Sequence, residues 1–164
     1  MTTDEQEELL KIVKKAILTF NEKEKYLLKN NLSERCICSK FADYLNRELK
    51  VNEKYIQYDV DVEYNRGFDG KDNKPKKIYG KNAVVDLIVH KRGYDEFYGY
   101  DNLICIEMKK TNDSRGKQGI IDDQARLKDL AGYEYGFCYK LGIMLVANVK
   151  KQLLEILEPV YKLD

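Results

Sequence analysis

At 164 residues the chain is long enough for one domain with a buried core and too short for two of ordinary size. Charged side chains make up 35% of it, yet 29 basic and 28 acidic groups leave a net charge of only +1. That balance excludes a whole-molecule basic field, so a polyanionic partner would have to be held by a local patch.

The opening segment, MTTDEQEELL, is acidic and lacks the basic-then-apolar order of a secretory signal. The longest clean apolar run, Leu141 to Ala147, is seven residues, against roughly 20 for a bilayer span. The expected setting is cytoplasmic, with no membrane partner. Leu9, Leu10, Val13, Ile17 and Phe20 recur at helical spacing and predict one long amphipathic helix over residues 4–29. The segment Asn31-Leu32-Ser33-Glu34 then opens a second helix, with Asn31 as N-cap and Glu34 at N3 in the manner of a capping box. Glu34, Cys38, Phe41 and Leu45 recur at spacings of 4, 3 and 4, which also sets Glu34 on the apolar face. Glu34 is thus a helix-start device, a carboxylate aimed at the core, or both.

Ile56, Tyr58, Val60, Val62 and Tyr64 alternate with polar residues and predict a half-buried strand over 58–65. Residues 67–81 carry five lysines and read as a mobile loop or hairpin tip. Lys74, Lys76 and Lys77, with Lys91 and Arg92 further on, are candidates for phosphate contacts; the plainer alternative is a solvated face. Residues 83–90 predict a central strand, apolar apart from Asp86 and the terminal His90. The segment KRGYDEFYGYD, residues 91–101, predicts an exposed turn whose aromatic rings serve either stacking or packing. A further strand carries Glu107-Met108-Lys109. Ile121, Ala125, Leu127 and Leu130 predict a helix over 120–130, Leu141 to Ala147 a buried strand, and Lys150 to Leu163 a closing helix interrupted at Pro159. The chain divides into a helical extension (1–30), a core (31–148) and the closing helix (149–164) of one domain.

The four cysteines, at 36, 38, 105 and 138, fall within predicted elements and have no zinc-finger spacing, so reduced structural thiols are expected. With one histidine and no GxxxxGK loop, several enzyme classes become improbable. Carboxylate chemistry remains. Asp86 lies inside one apolar run and Glu107 with Lys109 inside another, and a buried carboxylate is costly unless it is paired or binds a metal. Strand alternation points Glu107 and Lys109 the same way, with Cys105 and Leu103, and leaves Ile104, Ile106 and Met108 on the other face. The trio is either a cation site or a metal-free ion pair with Lys109 bridging the two acids.

Asp86 followed by Glu107-Met108-Lys109, each at the polar end of a hydrophobic strand, with a helix-borne Glu34 upstream, resembles the PD-(D/E)XK nuclease superfamily, the restriction-endonuclease-like fold, over roughly residues 31–148. The resemblance implies an α/β protein, a mixed central β-sheet flanked by helices, with an extra amino-terminal helix. It implies a nuclease that hydrolyses phosphodiester bonds, expected in DNA, with Mg²⁺ or alternatively Mn²⁺ as cofactor. Asp86, Glu107 and the main-chain carbonyl of Met108 would hold the metal. Lys109 would orient the attacking water or stabilise developing charge, and Glu34 would hold a metal-bound water or anchor Lys109. Val85 stands where the proline that names the motif would be. Some branches complete the site with a Gln followed four positions later by Tyr; here Gln124 is followed by Lys128, which an ordinary surface helix explains as well. Glu63 is an accessory candidate or an exposed edge-strand acid. A homodimer would suit the cutting of two strands. The competing readings are a noncatalytic module that binds nucleic acid or protein, and a structural subunit.

Overall fold

In the computed structural model, which describes residues 4–68, 71–92 and 102–162, the acidic opening segment becomes α1, Asp4–Lys23. Asp4, Glu5 and Glu7 occupy its first turn, where negative charge complements the helix dipole. Leu9, Leu10, Val13, Ile17 and Phe20 form its buried stripe. The single helix expected to reach residue 29 is interrupted: Glu24 leaves helical geometry, and a short α2, Lys25–Lys29, follows. Asn31 takes a φ of 53°, a left-handed conformation that Asn tolerates better than most residues. The next helix, α3, therefore starts later than the capping box implies. It spans Glu34–Lys50, and its N-cap is Ser33, whose hydroxyl accepts from the Cys36 amide at 3.2 Å. Asn31 is not the cap, and Glu34, as the first helical residue, has its carboxylate free for another use. Ile37, Cys38, Phe41, Leu45 and Leu49 line the buried face of α3, with Phe20 edge-on to Phe41 at 6.1 Å.

A one-turn 3₁₀ segment, Glu53–Tyr55, leads into β1, Asp59–Val62. This strand is shorter than the sequence pattern implies because Glu63 adopts a φ of 52°. The twist there switches faces: Tyr58, Val60 and Val62 pack on the side of α1 and α3, whereas Tyr64 packs on the other. Two small hairpins follow, β2 (Gly67–Phe68) with β3 (Asn73–Lys74) and β4 (Lys77–Ile78) with β5 (Lys81–Asn82). The strand expected over 83–90 is regular only in β6, Leu87–His90, so Asp86 stands immediately before it. From residue 93 the expected aromatic turn lies outside the described residues. Then come β7 (Asn102–Lys110), α4 (Gly116–Ala131) and β8 (Leu141–Asn148).

The expected closing helix over 149–164 is instead a strand, β9, Leu153–Lys162, antiparallel to β8. Its apolar residues fit either period, and pairing with the edge of β8 decides between them. Three residues, 158–160, oppose the single Ile143 in a bulge that holds Pro159, and a residue without an N–H is tolerated at such an edge.

The five long strands form one sheet in the order β1-β6-β7-β8-β9, antiparallel except for the β7–β8 pair, which α4 connects. The architecture is α/β, a mixed sheet flanked by helices. On one face α1 and α3 bury Leu87, Ile104, Ile106, Met108, Ile143 and Leu145. On the other, α4 and the 78–85 segment enclose a smaller core that includes Ile88, Cys105, Leu127 and Met144. Leu103, expected to face with Glu107, packs with α1 and α3 because a register shift at Val89/His90 turns the start of β7. The outer edge of β9 meets α1, where the Asn21 side-chain amide donates to the Leu154 carbonyl at 2.9 Å and accepts from the Leu154 N–H at 2.6 Å. Among the described residues no helix is long and apolar enough to cross a membrane.

Candidate active site

β6 joins the ladder only at Leu87, opposite Ile106, while β7 runs on to Lys110. The end of β7 has therefore lost its neighbour on one side, and its outward amides need other acceptors. Two carboxylates supply them. The Met108 N–H donates to Asp86 Oδ2 at 2.8 Å, and the Lys110 N–H donates to Glu34 Oε2 at 2.6 Å. Glu34 reaches this gap because α3 begins beside it, and the Lys110 ammonium holds the preceding turn by donating to the Leu32 carbonyl at 2.9 Å.

Continuing the antiparallel register from the Leu87–Ile106 pair sets Asp86 opposite Glu107, with both side chains on one face. Burial, then the negative charge of Asp86, push the Glu107 carboxyl well above its usual range, and a hydrogen bond with Asp86 adds to this; Arg126 pulls the other way without prevailing. Asp86 and Glu107 thus crowd like charge into one buried spot, a cost that falls on Glu107. From Glu107 a chain of alternating charge runs back to Glu34. Arg126 Nη1 donates to Glu107 Oε1 and to the Val84 carbonyl, and its Nη2 lies 3.2 Å from Asp123 Oδ1. Asp123 Oδ2 is 2.9 Å from Lys109 Nζ, which stands 3.8 Å from Glu34 Oε1. Burial alone would lower the Lys109 pKa, but the bond and charge of Asp123 outweigh it and raise it. Lys109 thus pairs with Asp123 and Glu34 and does not bridge Asp86 and Glu107. Gly119 packs beside this contact: an added Cβ would meet Lys109 Cε at an ordinary 3.5 Å but would crowd Arg115 Cβ at 2.9 Å.

A cleft lined by Glu34, Arg35, Cys38, Val62, Glu63 and Asp86 opens onto the carboxylates. Glu63 sits at its rim in an ion pair with Arg35, and its N–H donates to the Asp86 carbonyl at 3.1 Å. The Cys38 thiol donates to the same carbonyl at 3.5 Å; burial and then the charges of Asp86 and Glu107 drive its pKa far up, so it is no nucleophile. Among the described residues no group of three or more His, Cys, Asp or Glu side chains is arranged to hold a metal ion. What the gap does offer is two adjacent hard carboxylates beside the Met108 peptide, which strand geometry turns toward Asp86. Mg²⁺ normally takes few protein carboxylates and keeps several waters, and the repulsion stored in the Asp86–Glu107 pair is of the kind a cation relieves. The donor set fits.

Asp123 and Arg126 are the members that sequence reasoning missed. The signal was present: Gly119, Asp123 and Leu127 recur every four residues, so Asp123 shares the buried face of α4. Ile121 and Ala125, expected on that face, are exposed, Lys128 is exposed, and Gln124 lies off the buried stripe. The proposed basic rim also changes. Lys74 and Lys77 are exposed, but Lys76 is buried, its ammonium 2.6 Å from the Tyr139 hydroxyl, where no phosphate reaches it. Lys91 leans over the Tyr58 ring, and Arg92 is held by Asp61. Asp61 also takes the buried His90 Nε2 at 2.8 Å. No protein-family model matches the chain, and neither does any curated protein or solved structure.

Proposed function

We propose that this chain is a divalent-cation-dependent nuclease with a restriction-endonuclease-like core, cleaving phosphodiester bonds in nucleic acid, DNA by preference, in the cytoplasm. One observation carries the reading: Asp86 and Glu107, 21 positions apart in sequence, face each other at an opening in the sheet, with Glu34 and Lys109 alongside. Asp86 and Glu107 would hold the cation, with the Met108 carbonyl beside them. A bound Mg²⁺ supplies charge neutralisation at the phosphoryl oxygens and a more acidic water. Lys109, kept cationic by Asp123, faces the charge that builds up on the phosphate as the bond breaks. Glu34 positions Lys109 and fixes the strand end through the Lys110 amide. Arg126 is the counter-charge that holds Glu107 in place before the cation arrives. Lys74 and Lys77 remain as surface cations for the substrate backbone.

Wild-type protein with Mg²⁺ or Mn²⁺ should cut DNA, and Asp86→Asn or Glu107→Gln should lower the rate by roughly a thousandfold or more, because each removes several kcal/mol of transition-state stabilisation. Calorimetric titration of Mg²⁺ should lose its signal in the same variants. Cleavage that persists in both variants would sink the assignment. The second reading, a noncatalytic nucleic-acid- or protein-binding module, is favoured by the pairing of Arg126 and Lys109 with the acids, which balances charge without a metal. A wild type that binds nucleic acid but neither titrates with Mg²⁺ nor cuts would establish that alternative.

A further inference from the structure

Between the β4–β5 hairpin and α4 lies a cleft of about 650 Å³, bordered by Tyr79, Asn82, Val84, Ala125, Arg126 and Asp129. Its size falls within the range of sites that hold one small ligand and is far from that of a duplex groove. The hairpin turn is Tyr79-Gly80, with φ of 49° and 72°, the left-handed pair that two-residue hairpins require and that Asn-Gly fills without strain. A tyrosine in the first position is costly there. What that residue gains is an aromatic ring on the rim of the cleft, 73% exposed and braced edge-on by Tyr135 at 5.3 Å.

The remaining lining is mixed. Lys81 and Arg126 line the cleft together with Asp122 and Asp129, so it is electrically balanced and does not suit a run of phosphates. Amide and carboxylate groups below an aromatic platform suit a flat heterocycle with donors and acceptors on its edge, and Val84 adds an apolar wall. Arg126 connects the cleft to the carboxylate pair, since one guanidinium nitrogen reaches both the Val84 carbonyl and Glu107. A nucleotide whose base lies in this cleft would have its phosphate beside Arg126, next to Asp86 and Glu107.

We infer that the cleft between the β4–β5 hairpin and α4 is a nucleobase subsite that takes one unpaired nucleotide of a single strand, with Tyr79 as its stacking platform. A base inside a duplex has both faces covered by its stacked neighbours and its edge taken by its partner, so the substrate region entering here is single-stranded. The inference rests on the nuclease reading for its direction and is tested apart from it, by binding in chelator where nothing is cut.

Fluorescence anisotropy of the full chain in EDTA, with a short oligothymidylate and with a duplex of equal length as probes, gives the readout. Wild type should prefer the single strand. Tyr79→Ala should weaken single-strand binding by about tenfold or more while leaving the duplex affinity level, and Tyr79→Phe should keep the wild-type value. Ala125→Glu, on the exposed opposite wall, should weaken single-strand binding in the same way by closing the cleft with a charge. Unchanged single-strand affinity in both Tyr79→Ala and Ala125→Glu, or a wild type that prefers duplex, overturns the subsite. If that happens while Mg²⁺-dependent cleavage is seen, the nuclease reading stands alone; Tyr79-dependent binding without cleavage leaves the subsite standing and removes the nuclease.

Discussion

Toward α1 and α3, β7 presents Ile104, Ile106 and Met108; toward α4 the same strand presents Cys105, Glu107 and Lys109. All six side chains are buried, so the two faces differ in what compensates burial and not in how deep it is. The first face is held by area removed from water, a non-directional force that tolerates adjustment. The second depends on named partners, each needed by the next: Glu107 on Arg126, Arg126 on Asp123, Asp123 on Lys109. One face is built for stability. The other keeps charge where charge is expensive, and only while every partner is in place.

The sharpest way to break this comparison is to damage the dry face. Phe41→Ala removes a fully buried ring that packs on Phe20 and should cost about 4 kcal/mol, read from urea unfolding, with Mg²⁺ titration of the folded protein unchanged. Next in size is the polar face: Asp123→Ala strands Lys109, whose side chain is only 5% exposed, and should cost about 3 kcal/mol. The double variant Asp123→Leu with Lys109→Met should regain most of that loss, since a matched apolar pair leaves no orphan charge. Failure to regain it would mean that the ion network and not burial holds α4 on the sheet.

These two faces were not equally legible in the sequence. Periodicity alone marked Leu9 to Phe20, the α3 stripe and the strands carrying Asp86 and Glu107, because apolar burial imposes a period on every element it drives. It misread β9, where the helical and strand periods both fit LLEILEPVYK and only pairing with β8 separates them. It also missed Asp123 and Arg126, because an acid on an apolar helical face is a cost until its partner on another strand is known. Lys76 went the opposite way: a lysine in a charged loop reads as solvated, and the Tyr139 hydroxyl that receives it is 63 residues distant.

A smaller effect separates the site from the other polar cluster of the sheet, Asp61 with His90 and Arg92. Burial would raise the Asp61 carboxyl, but the hydrogen bonds from His90 and then Arg92 hold it well below its usual range. A depressed carboxylate contributes stability that is present above its unfolded pKa, near 4, and is lost as the pH falls toward the folded value. Asp61→Asn should therefore cost about 1–2 kcal/mol at pH 7, and the gap from wild type should begin to narrow below roughly pH 5 and go on narrowing as the pH falls toward the depressed folded value. The smallest change is expected at Asp86→Asn, whose stability in chelator should stay level or rise, because it relieves the repulsion with Glu107. A large loss there would recast Asp86 as a strand-end cap for Met108 and little more.

The pair of bonds between Asn21 and Leu154 has a consequence outside the site. A carboxamide has the same donor and acceptor as one peptide unit, so Asn21 serves β9 as a strand one residue long. Without it, Leu154 would offer its N–H and C=O to any extended chain that passed, including the β9 of another copy. The bulge at Pro159 interrupts the same border further along. One side chain on a helix and one imino acid thus blunt the sheet at its fifth strand, so that a second chain arriving there would find part of the border already taken.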